Sequence, residues 1–404
     1  MVLKELWGFF RKNTLFVCIC TLLIVALIFV PVVVYFINNS PNVSDFERYY
    51  NTARTIFDGN IDLIYNYEYT NMDYRYFPSF AIMIIPFTFL ELQVAYIPYI
   101  IICMAIFIIG INEMRKIGQI LEKEIDHVIL VMIILPSMVN AIVMGQNVMI
   151  VVSMILLSFR LLLQQKVLLG GFFLGISFLL KPVTSFIMIL MLVTFLRKKD
   201  YKKMFKFFIA VAIPLIPDII LFFTRINLLQ EFINSSVLHS DFRKDATSIS
   251  LVSFFYYVFD VKYIYFLIPG LIVIVPYIYK KQGSEKIINK EESSRIFIVG
   301  VILHFVFFVD IWFSQLVIAN FFICLLWWGK NEWIAPLKPL VIINVFLFPL
   351  IFIPVFHPIA TLFRLSMVFV WGLILYKALG YKVYHNLEKM KNTVFARLKT
   401  GKNM

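Results

Sequence analysis

Charge is what this chain has least of. Only 15% of its 404 residues are Asp, Glu, Lys or Arg, where a soluble domain carries about a quarter. Its apolar blocks are nearly free of carboxylates, with Asp218 and Asp310 as exceptions. Cysteine is scarce too, and Cys18, Cys20, Cys103 and Cys324 all sit in apolar runs. That placement argues against disulfides and against a thiolate metal site. No P-loop, no G-x-G-x-x-G after a strand and no H-E-x-x-H occurs, so a nucleotide-driven reaction has no visible site. Internal repeats, low-complexity tracts and a soluble catalytic domain are all missing from the pattern.

What fills the chain instead is apolar. Hydrophobic residues make up 61% and the mean hydropathy is +0.87. A membrane span needs about 20 such residues, and stretches of this kind recur from Leu15 to Lys377. The first, Leu15 to Ile37, lacks a small-residue cleavage site and contains Pro31, so it is expected to be a retained helix. The net charge of +13 could point to nucleic acid, but its placement excludes that reading. Lysine and arginine cluster in Arg197-Lys198-Lys199, Lys202-Lys203, Lys280-Lys281 and the tail from Lys377 to Lys402. These are loops between apolar blocks, where basic residues mark the cytoplasmic side.

Two blocks are too long for one helix. The 167–196 block is expected to break at Lys181-Pro182, because proline cannot continue a helix without losing a hydrogen bond. The 77–112 block poses a choice. If Phe77–Leu90 crosses alone, every later segment inverts and the basic loops face outward. If it dips in and returns, or lies in the interface, 28 of the 37 lysines and arginines fall inside, and charge asymmetry favours this second arrangement. The expected fold is all-α, a polytopic membrane protein with about 12 spans and both termini cytoplasmic. One integral membrane domain is read over 1–380, with external loops at 38–76 and 225–262, followed by a basic cytoplasmic tail at 381–404. The external face gathers those loops, Gly145-Gln146-Asn147, Lys181-Pro182 and the turns around Asp310 and His357. Irregular backbone at membrane depth must be buried in protein or line a cavity, so an outward-facing wet cavity is expected.

Several residues there can carry chemistry. Asp45 and Glu47 stand just beyond the first span, in S-D-F-E-R; a carboxylate at a cavity mouth can act as general base, or simply cap a short helix. Asp58, Asp62, Glu68 and Asp73 read as turn and surface acids, Asp58-Gly59-Asn60 being a turn signal. Lys181 and Arg364 are cations inside apolar runs; each can hold a phosphate or snorkel to headgroups. His239 and Arg243 lie in the 225–262 loop among mixed charges that can grip a sugar phosphate or remain solvated. Gln146 and Asn147 suit sugar hydroxyls, or bonds between helix ends.

The order of motifs is more specific than any one of them. D-x-x-x-Y-Y-x-x-A-x-x-x-x-x-G spans Asp45–Gly59, and Y-x-Y-F-P-S follows at Tyr74–Ser79. Gly145-Gln146-Asn147 comes next, then G-G-F-F-L-G-I-S-F-L-L-K-P at Gly170–Pro182. Together they resemble the family-87 polyprenyl-phosphate glycosyltransferases of the GT-C superfamily, over about the first half of the chain. The resemblance implies an integral membrane enzyme moving a sugar, often mannose or arabinofuranose, from a polyprenyl-phosphate donor. The acceptor would be lipid-linked or membrane-anchored, on the external side, with inversion at the anomeric carbon. It further implies Asp45 as general base, Glu47 as a supporting acid and Lys181 near the donor phosphate. No cofactor is implied, though a divalent cation could bind weakly to the acids of 38–76.

One departure stands out. Many relatives carry a Ser-Trp-x-His-His segment before a late span, whereas this chain reads Ile311-Trp312-Phe313-Ser314-Gln315. His239, Arg243 or Arg364 would have to serve instead. A transporter or flippase of a lipid-linked sugar or small solute is the competing reading, but it predicts midplane charges and repeats that the sequence does not show. A non-catalytic scaffold of glycan assembly is a third.

Overall fold

The computed structural model describes residues 45–70, 74–122, 127–235, 290–307 and 315–327. The Leu15–Ile37 block, His239, Arg243, Asp310, Trp312, His357, Arg364 and the basic tail lie outside them. Every regular element among the described residues is a helix, and no strand occurs among them. Helix α1 covers Asp45–Phe57 and α2 covers Pro78–Ile84, prolonged by a 3-10 stretch over Ile85–Phe89. Then come α3 (Leu92–Ile120), α4 (His127–Val143), α5 (Val148–Leu163) and α6 (Val167–Leu180). They are followed by α7 (Ser185–Arg197), α8 (Tyr201–Ala212), α9 (Ile216–Thr224) and α10 (Ile226–Ile233). Helices α11 (Lys290–Phe307) and α12 (Leu316–Trp327) complete the described bundle.

Two stretches are long and apolar enough to cross a membrane: Leu92–Ile120, with 29 residues, and Tyr201–Thr224, with 24. Of the roughly 12 spans expected, these two are met at full length among the described residues. The second exposes Phe205, Phe208, Ile209, Ile213, Ile220 and Phe223 along one side. Such a stripe is costly in water and costs nothing against lipid. This is a membrane-associated helical protein.

The remaining helices are short for definite reasons. Segment 78–89 totals about 18 Å of helix, and both its ends pack on α1. Phe80 meets Tyr49 edge-on at 4.8 Å, Phe89 meets Phe57 at 5.3 Å, and the Arg54 Nη1 donates to the Thr88 carbonyl at 3.3 Å. A segment tethered at both ends to one 13-residue helix lies beside it. The 167–196 block breaks where the sequence said it must. Lys181 adopts extended backbone, with φ −165° and ψ 131°, because the Pro182 ring crowds an α conformation at the preceding residue. Helix α6 also approaches its neighbours closely, since a Cβ at Gly175 would stand 2.4 Å from the Val211 carbonyl oxygen in α8.

Ion pairs between helices tie one end of the bundle. Buried Glu113 near the end of α3 pairs with Lys116 at 2.7 Å and with Arg160 from the end of α5. Glu292 at the start of α11 takes Arg197 at 3.3 Å and Lys198 at 2.6 Å. The Lys290 ammonium donates to the Ile120 carbonyl at 3.0 Å. Segments 113–122, 160–166, 197–206 and 290–295 therefore meet at one end, and Asp45, Gln146 and Lys181 lie at the other.

Candidate active site

Helix α1 forms because Phe46, Tyr49 and Ala53 recur on one face, and all three are fully buried. Phe46 packs on Tyr99 at 4.5 Å, and Tyr49 on Tyr76 at 5.2 Å. That face fixes the helix, and the helix start places Asp45. A second device locks it. Helix α4 ends in a left-handed glycine cap: Gly145 has φ +61°, its N–H donates to the Ile142 carbonyl, and the Gln146 N–H reaches back to the Ala141 carbonyl at 2.8 Å. No side chain would fit there, since a Cβ on Gly145 would lie 2.6 Å from the Phe46 Cβ. The Asp45 N–H donates to the Met144 carbonyl at 2.7 Å, pinning the start of α1 to this turn.

The side chains then form one continuous line. The Gln146 Nε2 donates to the Asp45 Oδ2, although 101 residues separate them. The Lys181 Nζ donates to the Gln146 Oε1 at 2.8 Å. Between a carboxylate and an ammonium only one amide orientation satisfies both, so the bridge is polarised from cation to anion. The Arg48 Nη1 contacts the other carboxylate oxygen of Asp45 at 3.1 Å. Asp45 keeps 14% of its side chain exposed, while Gln146 at 2% and Lys181 at 7% are buried. The open end of the line is the carboxylate.

Asn147 does different work. Its Nδ2 donates at 3.0 Å to the Leu180 carbonyl, which Pro182 and the helix break leave without a regular partner. Its Oδ1 is buried and has no hydrogen-bond partner among the described residues. On the far side of Lys181, buried His304 of α11 lies within electrostatic reach of the ammonium and beside Gln315. Below Asp45, tyrosines form the floor. Burial pushes the Tyr49 phenol well above its ordinary 10.0, with Tyr76 and then Asp45 adding to the effect. Burial does the same to Tyr65 and Tyr74, so these phenols stay neutral donors.

Asp45, Gln146, Asn147 and Lys181, all singled out in the sequence, thus come together. Glu47 does not join them. It follows Asp45 by two residues, about 200° round the helix, so it faces elsewhere and is half-buried. His239, Arg243 and Arg364 lie outside the described residues. Arg48, His304 and Gln315 were missed. A histidine in an apolar run was the one available signal, and it points inward at Lys181. Asp218, a buried acid in an apolar block, accepts from the Ser79 N–H at 2.7 Å and so caps α2 from another helix. Among the described residues no group of three His, Cys, Asp or Glu side chains converges.

A membrane-associated helical bundle with a carboxylate, an amide and a cation aligned at one end has the making of a transferase handling polar, anionic substrate at a membrane. The sequence comparison makes this specific. The model of glycosyltransferase family 87 matches residues 74–278, half of the chain, and the protein belongs to that family. It is a glycosyltransferase, with a sugar donor and an acceptor, and the transporter reading is set aside. No curated protein and no solved structure matches the chain. Gln146, Asn147 and Lys181 lie inside the matched span, whereas Asp45 precedes it and joins the site through its bond to Gln146.

Proposed function

We propose that this protein moves a sugar, mannose first among the candidates, from a polyprenyl-phosphate donor to a lipid-linked or membrane-anchored glycan, inverting the anomeric carbon. The reading is carried by the Asp45–Gln146–Lys181 line, in which a partly exposed carboxylate stands one amide away from a buried cation. Inversion needs the acceptor oxygen and the leaving phosphate on opposite faces of the sugar. Asp45 takes the proton as the acceptor hydroxyl attacks the anomeric carbon. The bond from that carbon to the phosphate oxygen breaks, and the polyprenyl phosphate leaves with the electron pair. A carboxylate has about four lone-pair sites, so the donors Gln146 and Arg48 leave room for the incoming hydroxyl. Lys181 donates to Gln146 and brings the positive charge that the leaving phosphate needs. The Asn147 Oδ1 is free to accept from a sugar hydroxyl.

In this proposal His304 and Gln315 stand in for the two histidines that the late segment lacks, and His239, Arg243 and Arg364 remain candidates for donor or acceptor contacts. Glu47 is the supporting acid on the same helix as Asp45. The chain makes about 12 crossings with both termini cytoplasmic and the site outside. The chemistry needs no cofactor, though a weak divalent cation near the loop acids would help a phosphate leave.

Purified protein in liposomes, given polyprenyl-phosphate mannose and a lipid-linked acceptor, tests the reading. Asp45→Asn keeps the size of the side chain and one of its two accepting oxygens while removing the base, and transfer should fall about 10²- to 10⁴-fold while the protein still folds. Full activity in that variant ends the assignment of the base. Absence of transfer by the wild type across a panel of prenyl-phosphate sugars ends the donor assignment.

A further inference from the structure

The largest concentration of positive charge on the described surface lies at the opposite end from Asp45. A cavity of about 280 Å³ opens there, where the first turn of α6 meets the first turns of α8. Its lining includes Lys166, Lys203 and Lys206, together with Leu168 and Leu169. Helix α6 runs 14 residues from this cavity to Lys181, a separation of about 20 Å, so the two places are distinct. The volume is several times the roughly 30 Å³ share of one water, enough for a hydrated phosphate group.

Charge and grease meet at this place in a definite order. Among the described residues one acid forms an ion pair with the three ammonium groups: Asp200, which pairs with Lys203 at 3.3 Å and accepts from its N–H at 3.1 Å. Lys166 and Lys206 are exposed and have no acid in ion-pair contact among the described residues. Beside them the wall turns apolar. Leu168 and Leu169 are about half exposed, at 48% and 52%, and Phe205 and Phe208 on α8 are exposed at 63% and 58%. A soluble phosphate would satisfy the lysines and make no use of the two leucines in the same lining. A ligand with a phosphate head and hydrocarbon tails satisfies both.

We propose that the cavity holds the phosphate headgroup of an anionic phospholipid from the leaflet on the side away from Asp45. Its acyl chains lie over Leu168, Leu169, Phe205 and Phe208. Basic pockets between helices at a cytoplasmic surface attract anionic lipid at about 1 kcal/mol per charge, and this pocket joins two helices that already pack closely through Gly171 and Gly175. The bound lipid bridges α6 and α8 at the end where no side chain caps the first turn of α6.

The test uses the full-length protein in detergent with phosphatidylglycerol or phosphatidylcholine of matched chains, read by native mass spectrometry. The wild type should retain one phosphatidylglycerol in preference to phosphatidylcholine. Lys166→Gln, Lys203→Gln and Lys206→Gln should each weaken retention about fivefold, and the triple variant about 100-fold. Lys202→Gln, exposed on α8 but outside the cavity, should change nothing. Equal retention of the two lipids, a triple variant that binds like the wild type, or an equal loss in Lys202→Gln overturns the proposal. Displacement of the lipid by excess inorganic phosphate overturns it too, assigning the cavity to a free anion.

Discussion

Asp45 and Lys181 carry opposite charges yet meet through an amide, and this spacing sets the expected behaviour of each residue. Lys181 is a buried cation whose burial costs free energy. Lys181→Met should therefore leave Tm unchanged or higher while transfer falls about 10²-fold or more, the mark of a residue kept for function. Parallel thermal melts and initial rates separate the two effects. Gly145 holds a conformation and a contact that a methyl group cannot share, with φ +61° and the Phe46 Cβ at 2.6 Å. Gly145→Ala should cost about 1–3 kcal/mol and lower activity further by displacing Asp45, measured by melting and by transfer at a temperature where the variant is folded. The phenols below the site have a pH signature. Their folded pKa is raised above 10.0, so the folded state keeps protons that the unfolded state releases. Stability is then complete below pH 10 and falls as pH rises beyond it. Tyr74→Phe should flatten that alkaline decline while costing about 1 kcal/mol at neutral pH for the lost bond to the Phe77 carbonyl. A decline as steep as the wild type's would exclude Tyr74 as a source.

At the scale of elements, most of the architecture follows from where helices are forced to stop. Helix α4 stops at a glycine cap and delivers Gln146; α6 stops before Pro182 and delivers Lys181. Each stop leaves polar backbone inside protein, and a side chain from the other stop answers it, as Asn147 does for the Leu180 carbonyl. At the far end, α3, α5, α7 and α11 are tied by Glu113 and Glu292. Glu113 is nearly fully buried, so Glu113→Gln strands the Arg160 charge and should destabilise by about 3 kcal/mol. Lys116 is 44% exposed and can reach water on its own. Adding Arg160→Leu to Glu113→Leu should recover much of the loss, and a double-mutant cycle by thermal melting measures the coupling. Purely additive single losses would show that the clamp contributes nothing.

Across the whole molecule, basic pairs gather at one end and the acid–amide–cation line at the other, with apolar helices between. If these ends face opposite sides of a membrane, Asn60→Cys and Lys202→Cys in a variant with the four natural cysteines replaced should react with an impermeant thiol reagent from opposite sides only. Labelling of both from one side would refute the arrangement. By itself the sequence determined that the chain is helical and membrane-associated, because apolar content and block length favour helices that satisfy their own backbone against lipid. It determined the break at Lys181, because proline dictates it locally, and it marked Asp45 as an acid just beyond a span and Gln146 and Asn147 as polar residues between apolar runs. Only the tertiary structure decided that these residues are neighbours, since contacts across 101 and 35 residues are set by helix packing and leave no local pattern. It also separated Asp45 from Glu47 through the rotation of one helix, laid 78–89 beside α1, and brought His304 within electrostatic reach of Lys181. Periodicity shows which face of a helix is buried, but the partner on that face is chosen by the fold.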